Sequence, residues 1–382
     1  MNRTQIYFDN AATTPLLPAA RAAMEPFWER TYGNASSPYA TSREARMALD
    51  GARVEVAKLV GAHPDEIVWT GGGTEADNWA LLGVALANLE KRGHFIVSAI
   101  EHHAVLEPAQ TLRELGFEVD FARPNSDGVV APDEIERLLR DDTLLVSVMS
   151  CNNEVGALQP VAPIAKLCRE RGVLFHCDAT QSAGKEPLDV DFALENGTDG
   201  GADLLTLSAH KIGGPKGVGA LYIRRGTRMK PLLRGGAQER GRRAGTENVP
   251  GIAGFGAAAT LAREELAAHS SHLEQLRARF EVGLRELGAQ IIAGGAPRGP
   301  HISAFIVEGK RAESLALSLD LRGIAVGTGS ACASGALEPS HVLGAMGYGA
   351  RAAKSALRVS FGRENTMAEV DEVLSVLGFG AI

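Results

Sequence analysis

Long apolar runs are missing from this 382-residue chain. The longest nearly uncharged stretch of small and apolar residues, Pro250 to Ala262, falls well short of the roughly 20 residues a bilayer-spanning helix needs, which excludes a membrane span. The start, Met1-Asn2-Arg3-Thr4-Gln5-Ile6-Tyr7-Phe8-Asp9, has no apolar core of a secretory signal, so a cytoplasmic location is expected. Cysteine is scarce, with four residues at 151, 168, 177 and 332 and no Cys-x-x-Cys pair, which fits that location and argues against a structural zinc site. Excess positive charge is missing as well. Lys and Arg number 39 against 46 Asp and Glu, a net charge of −7 that gives no attraction for phosphate backbones or anionic lipid. There is no internal repeat, low-complexity stretch or coiled-coil heptad.

What is present is an ordinary globular composition, 45% apolar and 22% charged, in a chain long enough for a well-buried core. The length suits two domains, or one large α/β domain with an appendage. Glycine is the outlier at 44 residues, which suits either phosphate-cradling loops or the caps and tight turns of many short βα connections. Its positions have to decide between them.

From residue 66 short β-branched runs alternate with helix-like stretches, the pattern of βαβ units around a largely parallel sheet with helices on both faces. Strands are expected at 67–69, 95–98, 117–120, 144–148, 173–176, 204–207 and 220–223, with helices such as Ala76 to Leu89 and Ile164 to Arg171 between them. Around Gly251 to Leu287 the pattern becomes one long amphipathic helix, with Leu266, Leu273, Leu276, Phe280 and Leu284 on one face, read as a bridge between domains. Beyond it, strands at 301–307, 323–326 and 357–360 with helices at 312–321 and 367–377 describe a smaller α+β domain. The expected division is a large domain over 16–255 and a small one made of 1–15 with 256–382.

In open α/β sheets ligands sit beyond the carboxyl ends of the strands, so the residues directly after each run matter most. After the first strand comes Thr70-Gly71-Gly72-Gly73-Thr74-Glu75, a glycine-rich turn opening a helix. Its backbone N–H groups suit a phosphate, although a plain helix start has the same form. It is neither a Walker loop, since no Lys follows the glycines, nor a dinucleotide fingerprint. Two later strands end in Asp178 and in Ser208-Ala209-His210-Lys211. A lysine held at a buried strand end has its pKa lowered toward imine chemistry, and a neighbouring carboxylate can keep a pyridinium nitrogen protonated, which makes pyridoxal phosphate an electron sink. Taken singly, Asp178 also fits a helix cap and Lys211 a solvated turn. The three features together favour the cofactor. The run Arg240 to Arg243 is short and lacks stacking aromatics, so it suits a site loop better than a nucleic-acid patch. His102, His103 and His176 have no partner at ligand spacing, and no metal is expected.

Asp9-Asn10-Ala11-Ala12-Thr13-Thr14, Gly73-Thr74-Glu75, Glu101-His102, Asn152-Asn153-Glu154, Asp178-Ala179-Thr180-Gln181-Ser182, Ser208-Ala209-His210-Lys211 and Arg242-Arg243-Ala244-Gly245-Thr246 follow one another along the chain. With Gly329-Ser330-Ala331-Cys332 and Leu357-Arg358-Val359-Ser360-Phe361-Gly362, they resemble the successive motifs of cysteine desulfurases of the NifS/IscS-like type, from residue 9 to 362. That resemblance implies the fold type I architecture of pyridoxal-phosphate enzymes, within aminotransferase class V, and a homodimer with sites near the subunit interface. It implies that Lys211 forms the imine with pyridoxal 5'-phosphate, Asp178 pairs with the pyridine nitrogen, Gln181 meets the ring oxygen and His102 stacks on the ring and relays protons. Gly73, Thr74, Ser208 and His210 would hold the phosphate, with Thr246 reaching it from the other subunit. Asn153 and Arg358 would bind the carboxylate of L-cysteine, and Cys332 would accept its sulfur as a persulfide, leaving L-alanine.

The implied acceptors are an iron-sulfur scaffold or a thiolation carrier, with no direct contact to nucleic acid. The small residues around Cys332 suit a mobile loop. Cys151, Cys168 and Cys177, in or beside apolar runs, are read as buried hydrophobes. A selenocysteine lyase or another class V aminotransferase would use the same cradle without needing Cys332, and a catalytically silent scaffold would lack the cofactor. The 33 positions from Asp178 to Lys211 exceed the family's usual spacing, and the extra residues are expected in the polar turn 195–201.

Overall fold

The computed structural model describes residues 5–192, 200–328 and 339–378. Among these residues twelve strands lie in two sheets. In chain order they are β1 (Ile6–Phe8), β2 (Ile67–Thr70), β3 (His94–Ser98), β4 (Glu118–Ala122), β5 (Thr143–Ser147), β6 (Leu174–Asp178), β7 (Leu204–Ser208), β8 (Gly219–Ile223), β9 (Gln290–Ile291), β10 (Ile302–Ile306), β11 (Ile324–Thr328) and β12 (Ala356–Ser360).

The larger sheet has the order β2-β8-β7-β6-β5-β3-β4 and is parallel apart from β8, which runs against both neighbours. All seven strands expected between residues 67 and 223 form it. They were legible because β-branched runs with both faces buried read as continuous apolar segments. Alternation sorts their side chains between the faces. Ile67, Trp69, Leu205 and Leu207 meet the helices Ala40–Leu59, Val161–Glu170 and Val249–Glu264. Val68, Phe95, Val97 and Leu204 meet the helices Gly73–Ala87 and His103–Glu114.

The smaller sheet has the order β1-β11-β12-β10-β9, with β1 parallel to β11 and the other pairs antiparallel. The short strands β1 and β9 have too few residues to show a period, and only pairing defines them. The single helix expected over 251–287 is in fact two, Val249–Glu264 and Leu266–Glu286. Glu265 between them leaves helical geometry at φ −104° and ψ 9°, and its carboxylate pairs with Arg363. The first helix is buried against the large sheet's helices. The second turns Leu273, Leu276, Phe280 and Leu284 into the core of the small sheet. Periodicity runs through such a break because both halves are apolar on one side.

No described helix is long and apolar enough to cross a membrane. The turn expected to absorb the long Asp178–Lys211 spacing falls mostly in 193–199, outside the described residues, as does Cys332.

Candidate active site

The two strand ends singled out in the sequence are neighbours. Asp178 closes β6 and Ser208 closes β7, and the strands pair in parallel with Asp178 opposite Thr206. The glycine-rich turn after β2 must cross the end of β8 to reach them. It can do so because Gly219 has no side chain, and a Cβ there would lie 2.7 Å from the Gly72 carbonyl carbon. The start of the helix Gly73–Ala87 then faces Thr180 and Ser208: a Cβ on Gly73 would stand 3.4 Å from both Thr180 Oγ1 and Ser208 Cβ. Thr180 Oγ1 is buried and has no hydrogen-bond partner. First-turn N–H groups, a bare α-carbon and a partnerless hydroxyl make a cradle suited to an anion. Glu75, in the same turn, is spent elsewhere: it accepts from the Gly71 N–H and takes both arms of Arg243 at 2.8 and 2.9 Å.

Asp178 accepts from the Thr180 N–H at 2.9 Å through Oδ1. His102 caps the helix His103–Glu114, its Nδ1 accepting from the Ala104 N–H at 3.0 Å, so the neutral ring carries its proton on Nε2. Burial pushes its pKa down, the nearby Lys211 adds to that, and Asp178 opposes it. Lys211 sits in the turn after β7 and donates from Nζ to the carbonyls of Ala11 and Ala12 at 2.5 and 2.9 Å. Gln181 donates to the same Ala11 carbonyl at 2.9 Å, while its Oε1 meets His301 Nε2 at 3.0 Å. His210 Nδ1 lies 3.0 Å from Thr13 Oγ1, and burial pushes its pKa down to about 4. The N-terminal segment 9–14, carried in by β1, thus reaches Lys211, Gln181 and His210 together. Arg358 on β12 donates to the Asn153 carbonyl at 2.7 Å and to Asp9 Oδ1 at 2.6 Å. Asn153 is therefore brought to Arg358 through its backbone.

Gly73, Thr74, His102, Asp178, Gln181, Ser208, His210 and Lys211 converge at one end of the large sheet, with Asn153 and Arg358 where the small sheet meets it. Thr246 is apart, exposed on the loop ahead of the helix Val249–Glu264. The basic run is consumed within the chain: Arg240 pairs with Asp65 at 2.6 Å and Arg243 with Glu75.

A buried polar layer lies beneath this surface. Glu101 and Asp77 are buried, and burial above all, reinforced by the Asp178 charge, holds both carboxyls well above their usual range. His176 Nε2 lies 3.6 Å from Asp77 Oδ1, an ion-pair distance, yet burial pushes the imidazole down to about 3. Two neutral groups in a dry site are the better reading, with His176 held by Ser147 and Thr206 at 2.8 and 3.1 Å. Lys185, also buried, donates to the Lys211 carbonyl at 3.0 Å and is pushed down to about 7 by burial, then by Lys211. It borders a cavity of about 120 Å³ behind Lys211, lined also by Asn10, Thr14, His269 and Asn365. In the sequence Asp77 and Lys185 were plain helix and turn residues; only their depth marks them.

The model of the aminotransferase class-V family matches residues 6–373. Among curated relatives, the cysteine desulfurase IscS of Dictyoglomus turgidum is 43% identical over 98% of this chain and 94% of its own. That of Methanosarcina thermophila is 44% identical over 97% and 91%. Among solved structures, a NifS-like protein at 39% identity superposes with a TM-score of 0.90 over 98% of both chains. The structure of SspA in complex with cysteine, at 33% identity, gives 0.83 over 94% of this chain and 99% of that one. With a family match across nearly its whole length and a mostly parallel sheet whose adjacent strands β6 and β7 lead into Asp178 and Lys211, this chain belongs to the aminotransferase class-V family.

Proposed function

We propose that this protein is a cysteine desulfurase, which takes the sulfur of L-cysteine, releases L-alanine and carries the sulfur as a persulfide on Cys332. The observation that carries this reading is that Asp178, at the end of β6, and Lys211, in the turn after the adjacent parallel strand β7, lie on the same side of the sheet as the Gly73 cradle and the partnerless hydroxyl of Thr180. Those groups fit pyridoxal 5'-phosphate. The helix start, Thr74, Ser208, His210 and Thr180 suit its phosphate, Asp178 its ring nitrogen, Gln181 its ring oxygen, His102 its ring face and Lys211 its aldehyde. When bound, the cofactor supplies an electron sink for the substrate's α-carbon.

The chain's own groups do the rest. With the cofactor bound, the Lys211 amine would take the proton from the substrate α-carbon and return one, and the neutral His102 would hold or pass protons beside it. Arg358, with Asn153, binds the substrate carboxylate. The Cys332 thiolate attacks the substrate sulfur, so the carbon–sulfur bond breaks as a sulfur–sulfur bond forms, and the substrate carbon skeleton leaves as alanine. The persulfide passes to an acceptor protein such as an iron-sulfur scaffold or a thiolation carrier. The same reading includes a homodimer, in which Thr246 of one protomer completes the phosphate site of the other. It keeps a large unit over 16–255 and a small one of 1–15 with 256–382, a boundary that falls inside the helix Val249–Glu264.

The test is release of sulfide and alanine from L-cysteine in the presence of a thiol reductant, compared between wild type and Cys332→Ala at equal cofactor loading. Equimolar products from wild type, lost in the variant, are expected. Release that survives in Cys332→Ala moves the assignment to a lyase without a sulfur-accepting cysteine.

A further inference from the structure

Arg358, assigned above to the substrate carboxylate, already holds a carboxylate of its own chain. The register explains how. β1 runs beside β11 with Phe8 opposite Val326, and β11 runs beside β12 with Gly327 opposite Arg358. Asp9, one residue beyond Phe8, therefore stands in a row with Gly327 and Arg358 across three adjacent strands. The middle position has no side chain, so the guanidinium can lie over β11. A Cβ on Gly327 would fall 2.7 Å from Asp9 Oδ1, 2.9 Å from Arg358 Nη2 and 3.0 Å from Nε. Through this gap Nη2 donates to Asp9 Oδ1 at 2.6 Å, while Nη1 donates to the Asn153 carbonyl at 2.7 Å. Arg358 is 4% exposed, and its buried Nε has no hydrogen-bond partner.

A guanidinium ordinarily grips a carboxylate with two donors. Here Asp9 and the Asn153 carbonyl take two of its five N–H donors, one on each Nη, and thereby fix the plane of the group, while the second N–H of each Nη remains for a ligand and the Nε–H is buried without a partner. Directly along the chain from Asp9, the carbonyls of Ala11 and Ala12 accept from Lys211 Nζ. One short segment thus touches both the guanidinium and the amine.

We propose that Asp9 is a positioning residue for the substrate α-carboxylate: it braces Arg358 across the gap at Gly327, so that the guanidinium meets the carboxylate at a set distance from Lys211. The ligand class is an α-amino acid with a free carboxylate. The proposal rests on the desulfurase reading in taking Arg358 as the carboxylate-binding residue. Asp9 itself touches no reacting atom and acts through Arg358.

The experiment compares wild type, Asp9→Asn and Asp9→Ala in the cofactor-loaded protein. Steady-state kinetics with L-cysteine is combined with titration of the cofactor absorbance by L-cysteine and by cysteamine, which lacks the carboxylate. Loss of a hydrogen bond to a charged group sets the scale: about tenfold or more in KM for L-cysteine in Asp9→Ala and a smaller rise in Asp9→Asn, with kcat changing less. The response to cysteamine is expected to match wild type in both variants. Gly327→Ala, whose added methyl fills the gap, is expected to behave like Asp9→Ala. Equal weakening toward cysteine and cysteamine, or no change in KM, overturns the proposal. A lower KM in Asp9→Asn overturns it too, since Asp9 would then be competing with the substrate. If Asp9→Ala fails to fold, Asp9→Asn, which keeps the shape, decides. Should wild type release no sulfide, the desulfurase reading fails, while titration with L-alanine against ethylamine still tests the brace.

Discussion

Glu101 shows at the scale of one residue what burial does to chemistry. Its Oε1 accepts from the Met149 N–H at 2.7 Å and its Oε2 has no partner, so the buried side chain is held as a neutral acid. A carboxyl whose pKa is raised on folding stabilises the protein fully only below its unfolded value of about 4.3, and that contribution is lost as pH rises toward the folded value. Glu101→Gln removes the slope. The variant is expected to match wild type at pH 4.5 and to exceed it by about 1 kcal/mol or more at pH 8, read from urea midpoints at the two pH values. Lys185 has the opposite sign. Its pKa is lowered to about 7, so folding is penalised increasingly as pH falls from the unfolded value of about 10.4 toward 7, with a plateau below. Lys185→Met, close in volume and uncharged, is expected to unfold at higher urea than wild type at pH 6.5, with the gap shrinking by pH 9.5. An unchanged gap would mean that the amine is not desolvated.

At the scale of elements, one buried ion pair ties the first long helix to the edge of the sheet. Arg53 on the helix Ala40–Leu59 grips Glu239 with both arms at 2.7 and 2.8 Å, donates to the Ile67 carbonyl and lies 5.2 Å over the Trp69 ring. Glu239 also accepts from the Trp69 N–H, closing the knot on β2. Glu239 and Arg240 both have positive φ, 48° and 60°, a backbone form that costs roughly 1–3 kcal/mol per residue and persists only when its surroundings impose it. Removing one partner of such a pair strands a buried charge. Arg53→Met is therefore expected to cost about 3–5 kcal/mol, and Arg53→Met with Glu239→Leu clearly less than the sum of the two single changes. A double-mutant cycle by urea unfolding measures the difference. The same scale explains the one helix misread from the sequence: the apolar face of 251–287 is continuous, whereas Glu265 turns its second half onto a different sheet.

For the whole molecule, the proposed dimer predicts a particle of twice the 40.2 kDa chain mass, and activity that falls on dilution below the dissociation constant. Sedimentation of the cofactor-loaded protein, with sulfide release assayed over the same concentrations, checks both; a fully active monomer removes the role given to Thr246. Mixing Lys211→Ala subunits with Thr246→Ala subunits adds a sharper expectation. Every hybrid dimer contains one site with both residues intact, so activity is expected to rise above that of either variant alone.

Much of this protein was determined by its sequence alone. The strand runs from Ile67 to Ile223 follow from β-branched residues that can be buried on both faces, and the motif residues Gly73, Asp178, Ser208 and Lys211 fall at or just beyond strand ends because a parallel sheet collects its loops at one end. What pattern cannot carry is depth and long-range register. That burial raises the Glu101 pKa and lowers that of Lys185, that Thr180 has a hydroxyl without a partner, and that Asp9 and Arg358, 349 residues apart, form an ion pair depends on which distant segments are packed together. Only the tertiary structure decided these, because desolvation and strand registry arise between segments and leave no period in the chain.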